Sequence, residues 1–305
     1  MSPELALAGD ALVRAIPLIL TGLAVALSFR AGVFNLGAEG QLLVGAAAAA
    51  AVSIRIGPHA GRSTIVFALL AGAVAGALWG AIAAELRRRF HVLEIISTIM
   101  LNFIAIHLVS FLVRGPLQEP THIYPQTESI PEVARLPIIL PGTRLHAGAI
   151  VAVATAGVLY WILKHSAVGF RIRSVGAGPR AAKSAGMVNV KRLSWGVFLW
   201  SGAIAGLAGA VEVNGVTFAL YENISPGYGY TAIAVALIAG LSPLWVVASG
   251  IFFGALETGA LALQRDYAIP SSIAGIAEAV LILITVAVAS IRGRSMIFAG
   301  RNNPA

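Results

Sequence analysis

The sequence contains no cysteine, which excludes disulfides, thiolate metal sites and cysteine nucleophiles. Charge is nearly as scarce. Asp, Glu, Lys and Arg make up 11% of the 305 residues and apolar residues 58%, against about 25% and 45–50% in a soluble domain. So little charge cannot clothe a globular surface in water, and a water-soluble enzyme is excluded. A basic leader is also missing. Glu4 and Asp10 precede the first apolar run, so that run reads as a retained span.

What the chain has instead is long uncharged runs. No Asp, Glu, Lys or Arg occurs in 63–84, 95–113, 145–163, 193–211 or 223–256, and a helix needs about 20 apolar residues to cross a bilayer. The runs are rich in Ala, Leu and Gly and do not alternate, so a closed barrel does not fit and helices remain. The expected fold is all-α: a polytopic transmembrane bundle of about 8–10 spans, some broken or re-entrant, forming one transmembrane domain over 1–305.

Charge placement predicts sidedness. The segment 164–192 carries Lys164, Arg171, Arg173, Arg180, Lys183, Lys191 and Arg192 without a carboxylate; Arg87, Arg88 and Arg89 are consecutive, and the tail adds Arg292, Arg294 and Arg301. The positive-inside rule places all three in the cytoplasm. This pattern, not nucleic-acid binding, accounts for the net charge of +8. By contrast 114–144 balances its charges and contains six prolines, as an external loop would. Spans are predicted near 12–29, 33–54, 63–84, 92–113, 145–163, 193–212 and 272–291. Two abbreviated passes within 230–263, broken around Ser242-Pro243, complete about nine crossings with the N-terminus outside.

Polar residues inside spans are functional candidates by default. The carboxylates Glu39, Glu94, Glu212, Glu257 and Glu278 qualify. Two clusters stand out. Asn35, Glu39 and Gln41 lie in a glycine-rich patch opening an otherwise apolar run, where a broken helix would free backbone groups to line a pathway. Glu94, Thr98 and Asn102 recur every four residues and share one helix face. The mixed segment 214–230 reads as a surface loop in preference to a re-entrant turn. Glycines 72, 76 and 80, 202 and 206, and 250 and 254 are spaced for close helix packing.

Other matches fail on context. The glycine pattern at 176–181 lacks a preceding buried strand, and Lys183-Ser184 lacks the glycines of a phosphate loop. The six histidines have no ligand spacing. Ser201 and Ser249 precede glycines as an intramembrane protease requires, but neither has the additional glycine two residues before it, and His107 is the only histidine deep in an expected span.

The run from Pro17 to Leu23 and Phe29 to Gln41, the run Glu94-Ile95-Ile96-Ser97-Thr98-Ile99-Met100-Leu101-Asn102, the stretches 176–186 and 201–209, and Pro226-Gly227-Tyr228-Gly229-Tyr230 resemble the permease subunits of bacterial ABC importers for nucleosides. Those belong to a wider group with ribose and branched-chain amino-acid permeases. The resemblance implies a multi-pass protein of the bacterial inner membrane that is not itself an enzyme and holds no cofactor. ATP is then bound by cytoplasmic ABC ATPase partners, beside a second, different permease chain and an external substrate-binding lipoprotein. The pathway residues are expected to be Asn35, Glu39, Gln41, Glu94, Thr98 and Asn102, with Phe34, Phe103 or Tyr228 as aromatics able to stack on a base. Loop 164–192 would couple to the ATPase through Arg173, Gly176, Arg180, Ala181, Ala182, Lys183 and Gly186, with a short helix near 181–185. The alternatives are a simple-sugar importer permease, or an ion-coupled secondary transporter with Glu39 or Glu94 as its proton carrier.

Overall fold

A computed structural model describes residues 3–186 and 188–267, with scattered positions between 273 and 284. The described chain folds into ten α-helices, and its only strand-like pairings are isolated bridges in the loops. The helices are α1 Pro3–Arg30, α2 Ala38–Ala60, α3 Thr64–Phe90, α4 Glu94–Arg114, α5 Gly148–His165, α6 Ala167–Ala177, α7 Pro179–Ser184, α8 Val190–Glu212, α9 Tyr228–Ile238 and α10 Pro243–Tyr267. Among the described residues six stretches are long and apolar enough to cross a membrane, α9 being too short. The stretch running from α2 through α3 folds back on itself at Gly61, in the left-handed region at φ 56°. Most of the last expected span, 272–291, together with Glu278 and the basic tail, lies outside the described residues.

At one end, the basic end, α3 finishes in Arg87, Arg88 and Arg89 and the loop 164–192 folds into α6 and α7. At the other, the loop end, residues 115–147 form a proline-rich cap. α1 is the central post: Leu18, Leu20, Leu23, Ala24, Val25 and Ala26 are fully buried, with α5, α8, α9 and α10 packed around it. Helices on the periphery turn Leu78, Phe111, Trp161 and Trp245 outward, as a lipid-facing surface requires.

Helices α2, α3 and α8 meet at glycines. A Cβ on Gly45 or Gly76 would strike the backbone of Gly206, and one on Gly206 would strike the carbonyl of Gly72. On α10, Gly250 and Gly254 face Ile19 and the Ala11–Ala15 turn of α1 in the same manner. Backbones approach this closely only where no side chain intervenes, and close approach is what holds helices together when lipid supplies no hydrophobic drive.

The apolar block expected to divide into two abbreviated passes does divide just before Pro243, but unequally. α9 has 11 residues and α10 has 25, because the turn at Gly240 and Leu241, both at positive φ, comes early in the block. The reading of 214–230 as a surface loop is corrected. Residues 213–217 continue α8 as a π turn, Leu220, Ile224 and Tyr228 are buried, and the last three positions open α9. Its polar composition signalled solvent, and Tyr221, Asn223 and Tyr230 are exposed, but Asn214 is buried and Glu222 is held by Arg114.

Candidate functional site

Two stretches lose their helix inside the bundle, and both lie against α4. The first is 31–37, between α1 and α2. Gly32, at φ 70°, turns the chain at the basic end, after which it runs extended beside α4. The backbone N–H of Phe34 donates to Glu94 (3.1 Å), that of Leu36 to the Thr98 hydroxyl (3.3 Å), and that of Gly40 to Asn102 Oδ1 (2.9 Å). Asn102 Nδ2 donates to the carbonyl of Leu36 at 2.9 Å. The stripe of Glu94, Thr98 and Asn102 is therefore a template that replaces, group by group, the hydrogen bonds the unwound backbone lacks. Asn102 lies eight residues along α4, about 12 Å from its start, so α2 begins well inside the bundle.

The second stretch is 218–227. Near the loop end Glu222 is held by Arg114 (2.7 and 2.8 Å) and by the Ser110 hydroxyl. The Arg114 bond, then that of Ser110, depress its carboxyl to about pH 2. From there the chain descends until α9 starts at Tyr228, beside the start of α2. The N–H of Gly229 donates to Glu39 Oε2 at 2.7 Å, the Ser225 hydroxyl accepts from the N–H groups of Gly227 (3.2 Å) and Tyr228 (3.1 Å), and Asn102 Nδ2 reaches the Tyr230 hydroxyl at 3.3 Å. α9 then leads to the basic end, where Arg30 Nη1 donates to the carbonyl of Leu241 at 2.9 Å.

Two helix N-termini thus meet inside the bundle, each satisfied by a side chain from another helix: α2 by Asn102, α9 by Glu39. A helix N-terminus carries orphan N–H groups and a partial positive charge, so a carboxylate facing α9 is electrostatically matched. Asn35 anchors the junction from below. Its Nδ2 donates to Ser201 Oγ (2.9 Å) and Gln41 Oε1 (3.1 Å), its Oδ1 accepts from the N–H of Gly37 (2.9 Å), and Ser201 donates onward to the carbonyl of Ala24 on α1 (2.8 Å).

All six residues expected along the pathway are brought together, and Asn35, Glu39, Gln41, Thr98 and Asn102 are buried. Glu94 sits closer to the basic end, paired with Arg87, at the edge of a cavity of about 460 Å³ that also exposes Phe34, Trp195 and Lys191. Phe34 packs edge-on against Phe29, Phe103 faces outward and Tyr228 is buried. Sequence reasoning missed Ser110, Ser201, Glu222, Ser225, Gly229 and Tyr230 as members of this network. Ser110 and Arg114 continue the four-residue spacing of the α4 stripe, and Gly227, at φ 103°, marks the turn that aims α9 inward. Of the coupling residues, Gly176 lies against the carbonyl of Arg30 with no room for a side chain. Arg180, Ala181, Ala182 and Lys183 form α7, whose start is set by Pro179; Gly186, at φ 66°, follows its end, and Arg173 lies in α6. No His, Asp and Glu cluster suited to a metal occurs among the described residues.

Residues 7–289 match the family described as branched-chain amino acid transport system / permease component. The chain belongs to this family. It is 39% identical over 295 residues to the guanosine ABC transporter permease protein NupP of Bacillus subtilis, covering 95% of this chain and 83% of that one. It is 38% identical over 288 residues to the glucose ABC transporter permease protein TsgB13 of Haloferax volcanii, covering 91% and 75%. A second Bacillus subtilis protein, the guanosine ABC transporter permease protein NupQ, is 30% identical over 251 residues, covering 80% and 78%. No solved structure matches. The protein is thus a multi-pass membrane permease component, and the ion-coupled alternative gives way to this family.

Proposed function

We propose that this permease is one of two transmembrane subunits of an ATP-driven nucleoside importer in a bacterial inner membrane. The observation that carries the cargo is the 39% identity to a guanosine permease along 295 residues, which spans both unwound stretches and the α4 stripe. Two similar guanosine permease proteins in one organism support pairing with a second, different chain. ATP is bound and hydrolysed by cytoplasmic partner subunits, and an external lipoprotein delivers the cargo. The basic end faces the cytoplasm and the loop end faces outward, following the charge distribution. Loop 164–192 receives the ATPase motion through Arg173, Arg180, Lys183 and the α7 turn, with Gly176 pressed on the end of α1 to pass it on.

In this reading Asn35, Glu39, Gln41, Glu94, Thr98 and Asn102 form a closed latch on the pathway. Their hydrogen-bonding groups hold the two unwound segments together. A nucleoside, rich in donors and acceptors, replaces those bonds one for one as the latch opens, so opening leaves few buried polar groups unpaired.

The similarity to a glucose permease favours a second cargo, a simple sugar. Reconstitution of the full transporter in vesicles with ATP inside distinguishes them. Uptake of labelled guanosine, unaffected by excess glucose, supports the nucleoside reading. Uptake of glucose alone overturns it. Accumulation by this chain without an ATPase overturns the importer itself.

A further inference from the structure

A groove of about 660 Å³ opens at the basic end between α1, α5, α6 and α8. Its composition changes with depth. Arg171 of α6 and Arg192, in the first turn of α8, stand at the mouth, Leu27, Leu159 and Val197 line the floor, and the largely exposed Trp200 forms the far rim. Trp200 lies eight residues further along α8 than Arg192, about 12 Å deeper into the bundle. No carboxylate lines the groove, and neither guanidinium pairs with a carboxylate among the described residues. The second cavity at this end differs: Glu94 lies in its wall and pairs with Arg87, and Arg88 is held by Glu85. The positive charge of that cavity is largely answered within the protein, while the charge of the groove is not.

We infer that this groove binds an anionic glycerophospholipid, its headgroup phosphate between Arg171 and Arg192 and an acyl chain along the apolar floor beside Trp200. Two unanswered cations at a helix end above an apolar channel complement a molecule with negative charge at one end and hydrocarbon at the other. The depth order matches that of a lipid in the leaflet. Basic pockets between helices on the positively charged side favour such headgroups. The site joins α6 to α8, so an occupied groove braces the basic loop without using Arg173, Arg180 or Lys183. It does not depend on the nature of the transported cargo.

The test is native mass spectrometry of the purified full chain with phosphatidylglycerol or phosphatidylcholine of matched chain length. Phosphatidylglycerol is expected to bind more tightly, with each arginine contributing about fivefold. R171Q/R192Q should lower that preference by at least about tenfold, leaving phosphatidylcholine binding unchanged as evidence of an intact fold. R171K/R192K should keep it, as should R55Q/R62Q, which removes the same charge from the loop end. An unchanged preference in R171Q/R192Q, or an equal loss in R55Q/R62Q, overturns the proposal. Release of the lipid when the ATPase assembles on the chain also overturns it, because the groove would then be a protein contact.

Discussion

Two seams hold this bundle together by opposite means. Where α2, α3 and α8 meet, glycine backbones touch with almost nothing between them. Along α4, side chains bond to the backbone around one unwound segment and to the side chains of Glu222 and Tyr230 in and just past the other. The first seam depends on shape, so any displacement drives one backbone into another, and packed interfaces of this sort do not deform gradually. The second depends on hydrogen bonds, which exchange partners at low cost when each broken bond is replaced. The comparison predicts which part is frame and which is gate: α2, α3 and α8 should move as a unit, and 31–37, 218–227 and α9 should move against α4.

Substitution at the glycine seam should have the largest effect. Gly206→Leu places a side chain into the backbones of Gly72 and Gly76, where overpacking costs about 1–3 kcal/mol or more. Loss of monodisperse protein after detergent extraction checks this, and a well-folded variant would break the frame assignment. Asn102→Ala comes next. It strands the N–H of Gly40, the carbonyl of Leu36 and the Tyr230 hydroxyl, at about 1–3 kcal/mol per unsatisfied buried group. Normal insertion with uptake reduced at least about tenfold is expected, and undiminished uptake would remove α4 as the template.

Glu39→Gln should be milder than Glu39→Ala. The amide keeps an acceptor for Gly229 but loses the charge facing α9, and charge-assisted bonds are roughly twice as strong as neutral ones. Uptake should therefore rank wild type, Gln, Ala, and equal rates for all three would deny Glu39 a place in the latch. The smallest effect concerns the clamp of Arg114 on Glu222. Because its folded carboxyl lies near pH 2, below the ordinary 4.5, the clamp contributes fully above about pH 4.5. It weakens as pH falls from there through about 2. The stability difference between wild type and Glu222→Gln should be constant in neutral buffer and shrink in that acidic window. A difference that instead grows on acidification would show that the clamp is misassigned.

Much of this was legible in the sequence because lipid imposes simple rules. Uncharged runs marked helices, arginine runs marked one end, and four-residue spacing placed Glu94, Thr98 and Asn102 on one face. The opening of α2 was equally visible, since Asn35, Glu39 and Gln41 interrupt an apolar run. The descent of 218–227 was not. Glu222, Gly229 and Tyr230 look unconnected in one dimension, and only their partners Arg114, Glu39 and Asn102, more than 100 residues away in sequence, show how the segment is tied to α2 and α4. The unequal division of α9 and α10 was missed for a related reason: it rests on positive φ at Leu241, which composition does not encode.

The absence of cysteine makes the central claim directly measurable with paired spin labels in the assembled transporter. One pair, at Ile95 of α4 and Ile238 of α9, spans the polar seam; another, at Leu78 of α3 and Trp200 of α8, spans the glycine seam. Between nucleotide-free and ATP-bound states, the first distance should change by more than ~2 Å while the second stays fixed. A fixed first distance with a moving second would contradict the division into frame and gate.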